Sequence, residues 1–270
     1  MYRLVALDLD GTLVGHDGLV CEEHRLALKR VQQMGLEVML VTARTWADTQ
    51  PLVHELRITS PTICYTGAAT YDPSGRPLQC QLLGLQSLRR ITAWADAEGW
   101  PLRIFHPCGT EVQSHPTTEY VNKIGAWFVE PHQYVQQMSE YVQMHEEAVQ
   151  VVLLGSRSVE AACARLGELP GVTATAYDRM TFQSRLHLLE PGVSKGAALA
   201  AYCRQREIPR PSVIAMGDTA ADASMISWAG VGVAMGWAPE PVRSAADLVT
   251  SPNDAAPVAT ALKQLVGDVR

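Results

Sequence analysis

What this chain lacks narrows its reading before any motif is considered. Its six cysteines, at 21, 64, 80, 108, 163 and 203, form no CxxC pair. A structural zinc site is therefore not expected, and a reduced intracellular protein with a cytoplasmic location is the simplest reading. The opening MYRLVALDLDG places acids where a secretory leader needs apolar residues. No stretch reaches membrane-spanning length, so no membrane partner is expected. Lys and Arg number 22 against 28 Asp and Glu, a formal net charge of −6, and the basic residues are scattered. Nothing there resembles a nucleic-acid footprint. A small anionic ligand stays compatible with that balance, because a few local donors and a metal override a net negative surface. No internal repeat or low-complexity tract stands out.

What is present points to a large α/β protein. With 270 residues, 47% of them hydrophobic, the chain can bury one large core or two smaller ones. The stretch Ala6-Leu7-Asp8-Leu9-Asp10-Gly11-Thr12-Leu13 organises the rest. Apolar Leu4–Leu7 reads as a short buried strand, and Asp8 and Asp10 follow two residues apart. In an extended segment those side chains point the same way, so both acids face one pocket at the strand's end. Like charges that close need compensation, which a divalent cation commonly supplies.

Cys21–Met34 has the spacing of a helix stopping at Gly35, and Leu36–Val41 reads as a second buried strand with Thr42-Ala43-Arg44 just beyond it. A second helix runs to about Leu56, and Pro61–Cys64 reads as a strand opening into Tyr65-Thr66-Gly67-Ala68. This alternation begins a parallel sheet. From about Leu83 the texture changes. Helices are expected at Leu85–Glu98, Pro131–Glu147 and Val159–Leu169, with strands at Leu102–His106, Thr110–Gln113, Ala148–Leu154 and Val172–Tyr177. The α/β pattern then resumes, with Arg185–Leu189 as a strand leading to Glu190-Pro191-Gly192. Next come a helix opening at Val193–Gly196, a strand at Ser212–Met216 delivering Gly217-Asp218, a strand at Val231–Met235 and a terminal helix at Val258–Val266. The expected fold is a Rossmann-like parallel-sheet core, 1–82 with 186–270, interrupted by an α+β insert at 83–185.

In open α/β sheets ligands collect at the carboxyl ends of the strands. Asp8, Asp10, Thr42, Lys195, Asp218 and Asp222 all fall at that edge. Taken singly, Thr42 reads as a helix cap, Lys195 as a solvated first-turn residue, and Asp218 with Asp222 as a cap plus a surface acid. Taken together they form an oxygen-rich set suited to Mg²⁺, with a hydroxyl and an ammonium that complement phosphate. Phosphoryl transfer is the chemistry implied, driven by positioning and electrostatics.

The motifs resemble those of the haloacid dehalogenase superfamily, in particular its Cof-like, sucrose-phosphatase-like members with a large α/β cap. Asp8-Leu9-Asp10-Gly11-Thr12 is similar to the first motif, Thr42 to the second, Lys195 within Gly192–Gly196 to the third, and Gly217-Asp218-Thr219-Ala220-Ala221-Asp222 to the fourth. The resemblance implies a Mg²⁺-dependent phosphatase in which Asp8 is the nucleophile and Asp10 the general acid and base. It further implies that Mg²⁺ is held by Asp8, the Asp10 carbonyl and Asp218, with Asp222 tethering that shell, and that Thr42 and Lys195 hold the phosphoryl oxygens. The expected partner is a small phosphorylated metabolite, bound to a monomer or homodimer.

The chain departs from the family pattern at Ala43, Thr66, Ala221 and Trp237, three of which stand where an amide side chain is common. Residues expected near the substrate are Arg44, Thr66, Gly67 and Trp237, and from the cap Arg103, His106, His115 and Arg179. A sugar phosphate is the first substrate expected, a sugar-borne phosphoglycerate such as mannosyl-3-phosphoglycerate the second, and pyridoxal or flavin phosphate the third. A phosphomutase and a non-catalytic metabolite-binding protein are the alternatives on the same fold.

Overall fold

A computed structural model describes residues 1–15, 17–114, 133–154, 159–177 and 185–267. The chain divides into two compact units, Met1–Leu78 with Ser194–Arg270, and Gln79–Val193.

The first unit is built on a five-stranded parallel sheet. Its strands are β1 (Leu4–Leu7), β2 (Glu37–Leu40), β12 (Val213–Gly217), β13 (Val231–Ala234) and β14 (Leu248–Val249), in the order β14-β13-β12-β1-β2. Apart from Glu37 at the start of β2, the strands read as apolar runs because both faces are covered. Val5, Leu7, Val38, Leu40, Ile214 and Met216 point to one side, where they meet Leu28 and Val31 of α1 (Glu22–Gln33), Leu52 and Val53 of α2 (Trp46–Glu55), and Val258 and Leu262 of the terminal helix Pro257–Val266. Leu4, Ala6, Met39, Val213 and Ala215 point to the other, against Leu199 and Cys203 of the helix Lys195–Gln205. Each such aliphatic side chain removed from water contributes about 1.5–3 kcal/mol. The register Leu7↔Met216 and Leu7↔Leu40 brings the carboxyl ends of β1, β12 and β2 level, so Asp8, Asp218 and Thr42 leave the sheet at one edge. Beyond β2, β3 (Thr62–Cys64) joins through a parallel bridge at Val41↔Ile63 and forms a three-stranded sheet with β4 (Ala69–Tyr71) and β5 (Pro77–Cys80).

The second unit holds a six-stranded mixed sheet in the order β10-β11-β9-β6-β7-β8. These strands are β6 (Leu102–Phe105), β7 (Glu111–Ser114), β8 (Gln133–Val135), β9 (Gln150–Leu154), β10 (Thr173–Tyr177) and β11 (Arg185–Leu189). One face is apolar: Leu102, Ile104, Val112, Val151, Leu153, Leu186 and Leu188 pack on α3 (Leu85–Glu98), α4 (Met138–Val142) and α5 (Val159–Gly167). The alternate positions carry Arg103, Glu111, Gln113, Gln150 and His187, all buried.

One sequence expectation fails in this unit. Pro131–Glu147 is not one helix: within its described part, Gln133–Val135 pairs in parallel with β7 and only Met138–Val142 is helical. Val135, Met138, Tyr141 and Val142 keep a helical apolar spacing, but strand pairing overrides it at the start of the segment. Arg185–Leu189 is a strand, as expected. It pairs antiparallel with both β10 and β9 and so sits inside this sheet.

Candidate active site

Asp8 follows β1 directly, and its amide donates to the Met216 carbonyl at 3.0 Å, tying it to the strand that delivers Asp218. The residue is only 4% exposed. The chain then turns at Gly11, whose φ of +84° suits glycine, and a Cβ there would lie 2.3 Å from Asp218 Oδ2. Both conditions make glycine the residue for this turn. Thr12 Oγ1 donates to Asp218 Oδ1 at 3.3 Å, so the loop after β1 and the loop after β12 hold each other.

Lys195 opens α6 (Lys195–Gln205), capped by Ser194, whose hydroxyl accepts from the Ala197 amide at 3.1 Å. A cation in a first helical turn opposes the helix dipole, so its place needs compensating partners. The residue is 2% exposed, and its ammonium donates at 2.5 Å to both Asp8 Oδ1 and Asp222 Oδ1. Asp222 is fully buried, and its other oxygen accepts from the Asp218 amide, the Thr219 amide and the Thr219 hydroxyl at 3.2, 2.9 and 2.8 Å. That set fixes the turn carrying Asp218. Thr219 and Thr12 perform this positioning although sequence reasoning gave them no role. Both lie inside the motifs, and that placement was the available signal.

Thr42 is buried, and its hydroxyl accepts from the Arg44 amide at 3.1 Å. It is not the cap of α2; Thr45 caps that helix by accepting from the Asp48 amide. Arg44 grips Asp10 with two parallel bonds, Nε to Oδ2 at 2.9 Å and Nη2 to Oδ1 at 2.6 Å. Burial works against the charge on Arg44, but pairing with Asp10 prevails and raises its pKa. Thr66 adopts φ +59° and donates its amide to the Thr42 carbonyl at 3.0 Å. Gly67 lets this segment reach α6, since a Cβ there would fall 2.3 Å from the Ser194 carbonyl oxygen.

The electrostatics leave the cluster short of positive charge. Carboxylate oxygens of Asp8, Asp218 and Asp222 lie within 4.8 Å of one another. Burial and the Asp222 charge push the Asp8 carboxyl well above the usual range, with Lys195 opposing them. The same two causes push Asp218 up to about 6. Three hard oxygen donors around one ammonium fit Mg²⁺, which would neutralise the excess.

A pH dependence follows. The folded protein binds the Asp218 proton more tightly than the unfolded chain does, so without metal its stability falls as pH rises from about 4 towards about 6. The effect is on the order of 3 kcal/mol. Mg²⁺ should therefore raise Tm more at pH 7.5 than at pH 5, and Asp218→Asn should flatten that difference. Thermal melts with chelator and with Mg²⁺ at the two pH values test this; equal Mg²⁺ shifts would contradict it.

Residues 5–262 match the family model described as haloacid dehalogenase-like hydrolase. The chain belongs to that family. It is an enzyme of the family's phosphatase type. Similar proteins include "Phosphatase YwpJ" of Bacillus subtilis, 29% identical over 98% of this chain and 100% of that one. Another is "5-amino-6-(5-phospho-D-ribitylamino)uracil phosphatase YcsE" of the same organism, 27% identical over 98% and 96%. A solved haloacid dehalogenase-like hydrolase from B. subtilis superposes with a TM-score of 0.83 at 26% identity, covering 97% of this chain and 99% of that one.

In this haloacid dehalogenase-type enzyme the cap residues singled out from sequence are placed as follows. Arg103 is 2% exposed, donating Nη1 to Glu111 Oε2 at 3.0 Å, and Nε and Nη2 to Gln113 Oε1 at 3.0 and 2.6 Å. His106 is buried, with Nε2 3.0 Å from the Tyr141 hydroxyl, and burial lowers its pKa. His115 and Arg179 lie outside the described residues. A cleft of about 410 Å³ lined by Gln32, Gly35, Leu36, Glu37, Arg57 and Thr59 includes the start of β2, at the opposite edge from Asp8. It contains none of the acid cluster. Among the described residues no helix is long and apolar enough to cross a membrane.

Proposed function

We propose that the enzyme hydrolyses the phosphomonoester of a small metabolite with Mg²⁺, through an aspartyl-phosphate on Asp8, and that sugar phosphates are the first class to test. The observation that carries this is the buried Lys195 ammonium joined to Asp8 and Asp222, with Asp218 beside them. A lysine so placed holds a carboxylate nucleophile in one orientation and offers positive charge to incoming phosphoryl oxygens. The family match and the relatives described as phosphatases lend support.

In the first step an Asp8 carboxylate oxygen attacks phosphorus, the ester P–O bond breaks, and the leaving alcohol takes a proton from Asp10. In the second, Asp10 takes a proton from water, whose oxygen attacks phosphorus and displaces Asp8. Phosphate leaves, and both acids return to their starting states. Mg²⁺ held by Asp8, Asp218 and the Asp10 carbonyl, with Asp222 bracing the site, would neutralise phosphoryl charge. Asp10 cannot serve as an acid while both its oxygens accept from Arg44. The ion pair must therefore give up at least one bond when substrate enters, so Arg44 sets when Asp10 becomes available.

The test is free phosphate release from a panel of sugar and cofactor phosphates. Turnover is expected with Mg²⁺ and its loss with chelator. No release from any member, or isomerised product without free phosphate, would overturn the hydrolase reading.

A further inference from the structure

Trp237 is an exposed aromatic on a stiff support. It stands in the turn after β13, where the Met235 amide donates to the Gly217 carbonyl at 3.0 Å and the Ala238 amide to the Met235 carbonyl at 2.9 Å. The Gly236 amide donates to Thr250 Oγ1 at 2.9 Å, and a Cβ on Gly236 would fall 2.5 Å from the Thr250 carbonyl oxygen and the Pro252 nitrogen. The turn is thus fastened to the residue before Asp218 and packed from behind.

The indole is fixed as well. Its Nε1 donates to the Gly11 carbonyl at 3.1 Å, and Gly11 is the residue packed against Asp218. One tether joins Trp237 to the strand end that carries Asp218, the other to the loop that follows Asp10. The residue nevertheless remains 44% exposed. An indole whose N–H is already engaged has no donor left for a ligand. What it presents is a flat π surface, held in place before any ligand arrives and so costing little further ordering on contact.

We propose that Trp237 is a specificity-determining residue whose exposed ring stacks on a flat conjugated ring carried by the alcohol part of the phosphate ester, directly or through a sugar. This deepens the phosphatase reading and rests on it. A saturated ring of equal size fills the same space without the π contact, so the preference is for flatness rather than bulk. An offset or edge-on aromatic pair adds about 0.5–1.5 kcal/mol beyond burial, which corresponds to about two- to tenfold in affinity or in kcat/KM.

The test uses two matched esters, benzyl phosphate and cyclohexylmethyl phosphate, with the Mg²⁺-loaded full chain. Binding of their non-hydrolysable phosphonates, in which CH₂ replaces the ester oxygen, is measured in parallel by calorimetry. The wild type should favour the benzyl member about two- to tenfold in both measurements. Trp237→Leu should bring the ratio to near one, whereas Trp237→Phe, which keeps a ring and loses the bond to Gly11, should keep the preference while lowering kcat for both esters. A ratio near one in the wild type, a ratio unchanged in Trp237→Leu, or no binding of either phosphonate overturns the proposal. A benzyl preference in binding with no phosphate release from either ester supports stacking and counts against hydrolysis, so the two readings fail separately.

Discussion

Asp8→Asn should lower phosphate release by at least about 10⁴-fold while the protein stays folded. The amide is nearly the same size as the carboxyl, so the buried site keeps its packing, but it cannot form the acyl phosphate. The charge balance helps the variant stand. Burial and Asp222 both work against an ionised Asp8 in the wild type, and Lys195 retains Asp222 as a partner once Asp8 is neutral. The companion variant separates the two acids of the first motif. Asp10→Asn should depress turnover by removing proton transfer, yet keep most of the Mg²⁺ affinity, because Asp10 is assigned to the metal only through its backbone carbonyl. Asp8→Asn should weaken Mg²⁺ directly. Phosphate release and calorimetric Mg²⁺ titration on both variants check this division, and equal Mg²⁺ losses would contradict it.

The placement of these acids shows how far the site could be read from sequence. Asp8, Lys195, Asp218 and Asp222 were legible because each follows a buried apolar strand or opens a helix, and parallel topology carries strand ends to one edge. Few arrangements other than a cation site tolerate two buried acids and a half-buried third around one lysine. The ion pair of Arg44 with Asp10 was not legible, since the two residues are far apart in sequence and many charged partners would have satisfied either. Arg103 shows the same limit from the other side. Its residue type suggested a substrate contact, but strand register opposite Gln113 and beside Glu111 gives it internal partners. The segment from 133 to 142 was misread because helical apolar spacing survives in a stretch whose first part pairs as a strand. Pairing across a sheet is a tertiary fact that local periodicity does not encode. Trp237 was visible as a departure from the family pattern and as a residue expected near the substrate. Its bond to Gly11 and its stiff turn needed coordinates.

Lys195→Met tests the electrostatic account most severely. The methionine fills much of the same space, so the main change is loss of the ammonium that donates to Asp8 and Asp222. Removing one partner from a buried ionic network costs about 3–5 kcal/mol, because the remaining charges stay buried and uncompensated. Turnover should fall about 10²–10³-fold or more through loss of charge facing the phosphoryl group. Stability should fall too, in a manner that identifies its cause. With chelator, unfolding by denaturant should show the full loss at pH 7.5 and a smaller one at pH 5, where protons replace the missing positive charge. Mg²⁺ should restore part of it, since ligand at about 100 times its Kd contributes about 2.7 kcal/mol. Adding Asp222→Asn to Lys195→Met should also recover stability in chelator, by removing one of the stranded acids, without recovering turnover. That non-additivity is the signature of charges acting as one network. A Lys195→Met protein as stable as wild type in chelator at pH 7.5 would mean that the three acids do not share negative charge in the resting site, and the case for Mg²⁺ as their counter-ion would lose its physical basis.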